Sequence, residues 1–170
     1  MWDNAPWTPR RWQEEALPLA ISALREGKRP IISAIMGAGK SILIAEIVYQ
    51  GLKKLHPDYK IVVVAPRQAL IRQLSKTISV RCGEDQVGMY YADQKDTNKN
   101  VIVTTFVSAP AVARATRVAL LIGDEVHGTE AEHFKSCYDT LDPACAIGFT
   151  ATPYRADEKE SLSLWDEVVY

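Results

Sequence analysis

Ser33-Ala34-Ile35-Met36-Gly37-Ala38-Gly39-Lys40-Ser41 is the stretch on which the fold turns. Ile31-Ile32 leads into it and Ile42-Leu43-Ile44-Ala45 follows, so an apolar run, a small-residue loop and a second apolar run succeed one another. This reads as strand, tight loop and helix start, the layout in which successive backbone N–H groups and the positive end of a helix dipole converge on an anion. Gly37 and Gly39 allow positive φ and bring bare backbone against phosphate oxygens, with the small Ala38 between them. Lys40 would place a point charge on the β- and γ-phosphates of a nucleotide, and the Ser41 hydroxyl would coordinate Mg²⁺. The usual form of this pattern opens on a glycine where the chain has Ala34. Taken alone, the loop also fits an ordinary glycine-rich turn, and the remainder of the chain decides between the two.

Working outward, short apolar runs recur at 30–34, 61–65, 86–91, 101–105, 118–122 and 144–149, the run at 86–91 being the weakest. They lack polar alternation and are separated by stretches suited to helices at 40–55, 67–80, 106–116 and 129–140. Strands buried on both faces look like this, which predicts a mostly parallel sheet with helices above and below. Ahead of the loop, Thr8-Pro9 has the form of a helix start, Thr as N-cap and Pro at the first helical position. Trp12, Ala16, Ala20, Ala23 and Leu24 then share a face, Pro18 is expected to kink the helix, and Gly27 ends it. Residues 93–100 read as loop.

In a sheet of this kind ligands gather beyond the carboxyl ends of the strands. The chemically equipped residues fall there: Gly37 to Ser41, Arg67-Gln68, Thr104-Thr105, Asp124-Glu125 and Thr150-Ala151-Thr152. Asp124, at the end of the run Val118-Ala119-Leu120-Leu121-Ile122-Gly123, is a hard oxygen donor of the kind Mg²⁺ needs. Glu125 beside it can accept a proton from a water aligned with the γ-phosphate. Alone, the pair reads equally well as an acidic helix cap.

Bulk properties narrow the field. The chain has 170 residues, 47% of them hydrophobic, enough for one globular domain with its own core. Its 20 basic and 21 acidic side chains leave a net charge of −1, so any polyanion contact has to be local. Three cysteines without C-x-x-C spacing suggest neither a zinc site nor a disulfide framework, which fits a reducing cytoplasm. The N-terminus has no secretory pattern and no run has membrane-spanning length, so neither secretion nor a membrane partner is expected.

Together these motifs resemble the first motor domain of superfamily 2 helicases and translocases. Residues 34–41 resemble motif I, 65–73 motif Ia, Asp124-Glu125-Val126-His127 the D-E-x-H form of motif II, and Thr150-Ala151-Thr152 the S/T-A-T motif III. Arg11-Trp12-Gln13 is similar to the adenine-recognition element, and the wording of the last two motifs is closer to DNA-directed members than to D-E-A-D RNA helicases. The resemblance implies a RecA-like P-loop NTPase domain of α/β class, with residues 1–29 as lead-in and adenine-recognition helix and 30–170 as motor domain 1. It implies ATP and Mg²⁺ as cofactors, with Gln13 on the adenine edge, Gly37, Ala38, Gly39, Lys40 and Ser41 on the phosphates, and Ser41 and Asp124 on the metal.

Glu125 would be the general base, acting with Lys40 and Asp124. His127, Thr150 and Thr152 would couple nucleotide to nucleic acid, while Arg67, Gln68, Thr104, Thr105 and Ser108 would touch the DNA backbone. For Gln13, a plain exposed helix glutamine is an equal alternative, and for Arg67 a solvated helix face. Arg155 is expected to be structural. The motors of this family close two such domains on ATP, the second supplying arginine fingers worth about 10³–10⁵ in rate. No second motor pattern follows in this chain, so weak turnover is expected without a second RecA-like domain as partner. The alternative is a non-hydrolysing, nucleotide-dependent DNA-binding or regulatory module, for which Glu125 would be superfluous.

Overall fold

The computed structural model describes residues 1–152 and 164–170. The chain runs through α1 (Arg11–Arg25), β1 (Pro30–Ser33), α2 (Lys40–Leu52), β2 (Tyr59–Ala65), α3 (Gln68–Cys82), β3 (Val87–Tyr91) and β4 (Gln94–Lys95). It continues through β5 (Val101–Thr105), α4 (Ala109–Ala113), β6 (Arg117–Gly123), α5 (Thr129–Leu141), β7 (Cys145–Thr150) and β8 (Glu167–Val168). The eight strands lie in the order β4-β3-β5-β2-β6-β7-β1-β8. All neighbours are parallel except β3 and β4, which form an antiparallel hairpin.

Strand periodicity sorts the core into two layers. Ile61, Val63 and Ala65 of β2, with Ile32, Val103, Ile122 and Phe149, pack beneath α1, α2 and α3. Val62 and Val64, with Ile31, Ile102, Leu121 and Ala146, face Phe106, Val112, Phe134 and Leu141 of the α4–α5 side. Burial of both faces is why these strands carry no polar alternation.

Local chemistry moves several boundaries. α1 starts at Arg11, not at Pro9, because the Gln13 side chain accepts the Arg10 backbone N–H at 2.8 Å and closes the first turn from inside. The helix then runs unbroken across Pro18, which lies on its exposed side. The helix expected over 106–116 shrinks to Ala109–Ala113, with Pro110 in its first turn. Gln94 and Lys95, inside the stretch read as loop, form the return strand of the hairpin.

Strand β8 was not anticipated. It is held by a bidentate clamp in which Arg29 Nε and Nη2 each donate to Asp166 at 3.0 Å and the Arg29 backbone N–H adds a third bond at 2.7 Å. Away from the rim, Arg81 is buried against Glu46, donating to it at 2.6 Å and to the Asp3 carbonyl at 3.0 Å, which ties the N-terminal segment to α2 and α3.

Candidate nucleotide site

The loop between β1 and α2 is shaped by its glycines. Gly37 has φ +78° and Gly39 φ +93°, both in the left-handed region that a Cβ disfavours. Gly39 is the residue immediately before α2, and it caps the helix with no side chain. The first-turn N–H groups of Lys40 and Ser41 are thereby left open to an anion at the positive end of a 13-residue helix with no acid in its first turn. The root of the loop is pinned to the sheet by Ala34 N–H, which donates to the Thr150 carbonyl at 2.9 Å.

The outer side of the loop is braced by the start of α1. Arg10 Nη1 donates to the Gly37 carbonyl at 3.0 Å, Trp12 Nε1 to the Ala38 carbonyl at 3.0 Å, and Gln13 Nε2 to the Gly39 carbonyl at 2.9 Å. Three successive carbonyls are so engaged on one side, which leaves the opposite side of the loop to its amides. Gln13 is buried, with its carbonyl oxygen accepting Arg10 N–H and one amide hydrogen given to Gly39. It is a brace as it stands, and its remaining donor and lone pair are what a base edge could use. Arg10 and Trp12 were not singled out as loop contacts from the sequence, although the run Arg10-Arg11-Trp12-Gln13 was the available signal.

Across β7 from the loop, β6 delivers Asp124. Its backbone N–H donates to Val64 O at 2.9 Å, and its Oδ1 accepts Glu125 N–H at 3.0 Å. Asp124 is 6% exposed, and burial pushes its carboxyl up to about 6 against the opposing pull of Lys40. Lys40 follows β1 and Asp124 follows β6, so both stand at the carboxyl ends of parallel strands with β7 between them. Gly123, just before, has no room for a Cβ, because Phe134 and Val126 side chains fill that position.

Glu125 takes φ +56°, a strained value for a residue with a Cβ. The turn is fixed by Val126 N–H on Phe149 O at 2.9 Å and His127 N–H on Glu125 O at 3.0 Å. The Glu125 side chain is 17% exposed and faces Arg67 Nη2 at 4.0 Å. Among the described residues, His127 Nδ1 is buried and has no hydrogen-bond partner. Thr150 pairs with Ser33 across β7 and β1, and its hydroxyl accepts Thr152 N–H at 3.2 Å, closing a turn beside the loop root.

Of the residues expected to meet nucleic acid, Arg67 and Gln68 are exposed at the start of α3, the Arg67 side chain by 76%. Thr105 Oγ1 accepts Ser108 N–H at 3.2 Å, forming a small turn at the same rim. Thr104 does not reach the rim: it is fully buried and donates its hydroxyl to Tyr90 O at 2.6 Å. Arg155 lies outside the described residues.

Comparison with known proteins gives this geometry a family. The family model described as Type III restriction enzyme, res subunit, matches residues 7–155. IRC3 of Saccharomyces cerevisiae, an ATP-dependent helicase by name, is 26% identical over 177 aligned residues covering 95% of this chain. The chain spans about a quarter of that relative's length (26%). Among solved structures, the SWI2/SNF2 ATPase core of Sulfolobus solfataricus in complex with double-stranded DNA superposes with a TM-score of 0.78 at 16% identity, over 94% of this chain and 36% of that one. The UvsW helicase of bacteriophage T4 gives 0.72 at 17% identity, over 97% of this chain and 61% of that one. With its match to the family model over residues 7–155, the chain belongs to the Type III restriction enzyme, res subunit, family and has the RecA-like fold of superfamily 2 helicases.

Proposed function

We propose that the chain is the ATP-hydrolysing first motor domain of a DNA helicase or translocase. The observation that carries this reading is that an uncapped α2 N-terminus with Lys40 follows β1 and the buried Asp124 follows β6, at the carboxyl ends of parallel strands separated by β7 alone. The donor set fits a magnesium nucleotide: backbone amides and an ammonium for phosphate, a hydroxyl and a carboxylate for a hard cation. Ser41 and Asp124 would hold Mg²⁺, which would neutralise charge on the phosphates. Lys40 and the amides of residues 37–41 grip the phosphates, and Gln13 offers its free amide positions to adenine.

Glu125 accepts the proton of the attacking water. Its backbone is held at positive φ by the turn and its N–H is given to Asp124, while its half-buried carboxylate faces Arg67, an arrangement that suits a base beside the metal-holding acid. Arg67, Gln68, Thr105 and Ser108 contact the phosphodiester backbone, where exposed cations and helix-start amides grip without reading sequence. A second RecA-like domain, in the same polypeptide or another, completes the site with its arginines. Glu125 sets this reading against a non-hydrolysing module, which would need the cradle and metal but no base.

The test is nucleotide binding followed by turnover with the second motor domain present. Lys40→Ala should remove Mg-ATP binding, and Glu125→Gln should keep binding and lose hydrolysis. Turnover at the wild-type rate in Glu125→Gln would take the base role from this residue.

A further inference from the structure

Away from the nucleotide rim, the amino-terminal ends of the central strands border a cavity of about 520 Å³. It opens between the second halves of α1 and α2, over the first residues of β2, β6 and β7. Ile21 and Leu24 of α1, Ile47 of α2, Leu55, Ile61 of β2 and Leu120 of β6 form apolar walls, and Cys145 stands at the start of β7. Arg25, Lys54 and His56 are exposed at its border, and no acidic residue lines it. Among the described residues neither Arg25 nor Lys54 takes part in an ion pair, whereas the neighbouring Glu26 is held by Lys28 at 2.7 Å and Lys53 lies over the Tyr49 ring at 4.4 Å.

We propose that this cavity is a binding site for an amphipathic monoanion, an apolar body carrying one carboxylate, with the medium-chain carboxylic acids as its ligand class. Its size lies in the range of small-molecule sites, and its walls offer an apolar body a dry surface. Arg25 and Lys54 pair with the carboxylate. A nucleotide or polyphosphate is disfavoured here, because the walls have few polar groups to meet a base, a ribose or a chain of phosphates. The site shares α2 with the phosphate loop, which begins at the other end of that helix, yet the proposal stands apart from the nucleotide reading and is tested without ATP.

The probe is decanoate, and the readout is alkylation of Cys145 followed residue by residue by mass spectrometry, with Cys82 as internal control. Decanoate should slow labelling of Cys145 in a saturable way and leave Cys82 unchanged. The double variant Arg25→Glu/Lys54→Glu changes only exposed side chains. It should raise the half-protecting concentration about tenfold, the combined effect expected of two partly exposed charge contacts. Decanol should protect more weakly than decanoate, and Ala144→Trp, at an exposed position on the mouth, should remove protection. The proposal is overturned by equal protection of Cys82, by undiminished protection in the charge-reversed variant, by protection absent at millimolar decanoate, or by concentration-dependent self-association that closes the cavity and is abolished by the same two reversals.

Discussion

Asp124→Asn should stabilise the unliganded chain at neutral and alkaline pH while disabling the site. Asp124 is 6% exposed, and burial raises its carboxyl from 3.8 to about 6, with Glu125 adding to the shift and Lys40 and His127 opposing it. Between those values the folded chain holds a proton that the unfolded chain has released, so stability falls as pH rises from about 4 to 6. Two units correspond to about 3 kcal/mol of charge burial, absent below the lower value and fully present above the upper one. Asparagine is nearly isosteric, carries no charge and can still accept Glu125 N–H through Oδ1. Urea unfolding in EDTA should therefore show the variant more stable by about 2–3 kcal/mol at pH 8, with the advantage shrinking towards zero as pH falls through 6 to 4. Mg-ATP at about one thousand times Kd should reverse the order at pH 8, because only the wild type gains linkage stabilisation, about 4.1 kcal/mol at that excess. An Asp124→Asn protein no more stable than wild type at pH 8 without metal would refute the reasoning.

Gly39→Ala should cost about 1–2 kcal/mol for φ +93°, and a Cβ there would stand 2.8 Å from Gln13 Nε2, loosening the brace. Thermal melts and nucleotide titration should show both losses together. Arg81→Leu leaves Glu46 buried without its partner and should destabilise by about 3–5 kcal/mol, and adding Glu46→Leu should restore much of it, both read by urea unfolding. Arg67→Ala should reduce the salt dependence of DNA binding by about one ion, while its 4.0 Å contact with Glu125, exposed on the arginine side, is worth less than about 1 kcal/mol in folding. An unchanged salt slope would remove Arg67 from the DNA contact set.

The strands were legible because the chemistry that identifies them is local. A strand covered on both faces, such as β2 with Ile61 to Ala65, has no polar alternation to confuse it with a surface element. The strand, tight loop and helix start around Gly37 and Gly39 were legible for a related reason, since left-handed backbone just before a helix leaves few residue choices. What stayed hidden depends on partners far along the chain. Strand β8 is two residues long, and its place beside β1 rests on Arg29 and Asp166, 137 positions apart. The start of α1 depends on a glutamine reaching back over one turn, and the burial of Thr104 on which face of β5 meets Tyr90 of β3. The adjacent threonines look alike in sequence and are separated only by strand alternation.

The bonds from Arg10, Trp12 and Gln13 to three successive loop carbonyls bear on where this polypeptide can be cut. Trimming it to begin at Pro30 would retain every strand and yet strip the scaffolding from the glycine hinge, along with the apolar lid that Ala16, Leu17 and Ala20 place over one layer of the core. In this protein the shape of the glycine loop and the integrity of the leading helix stand or fall together.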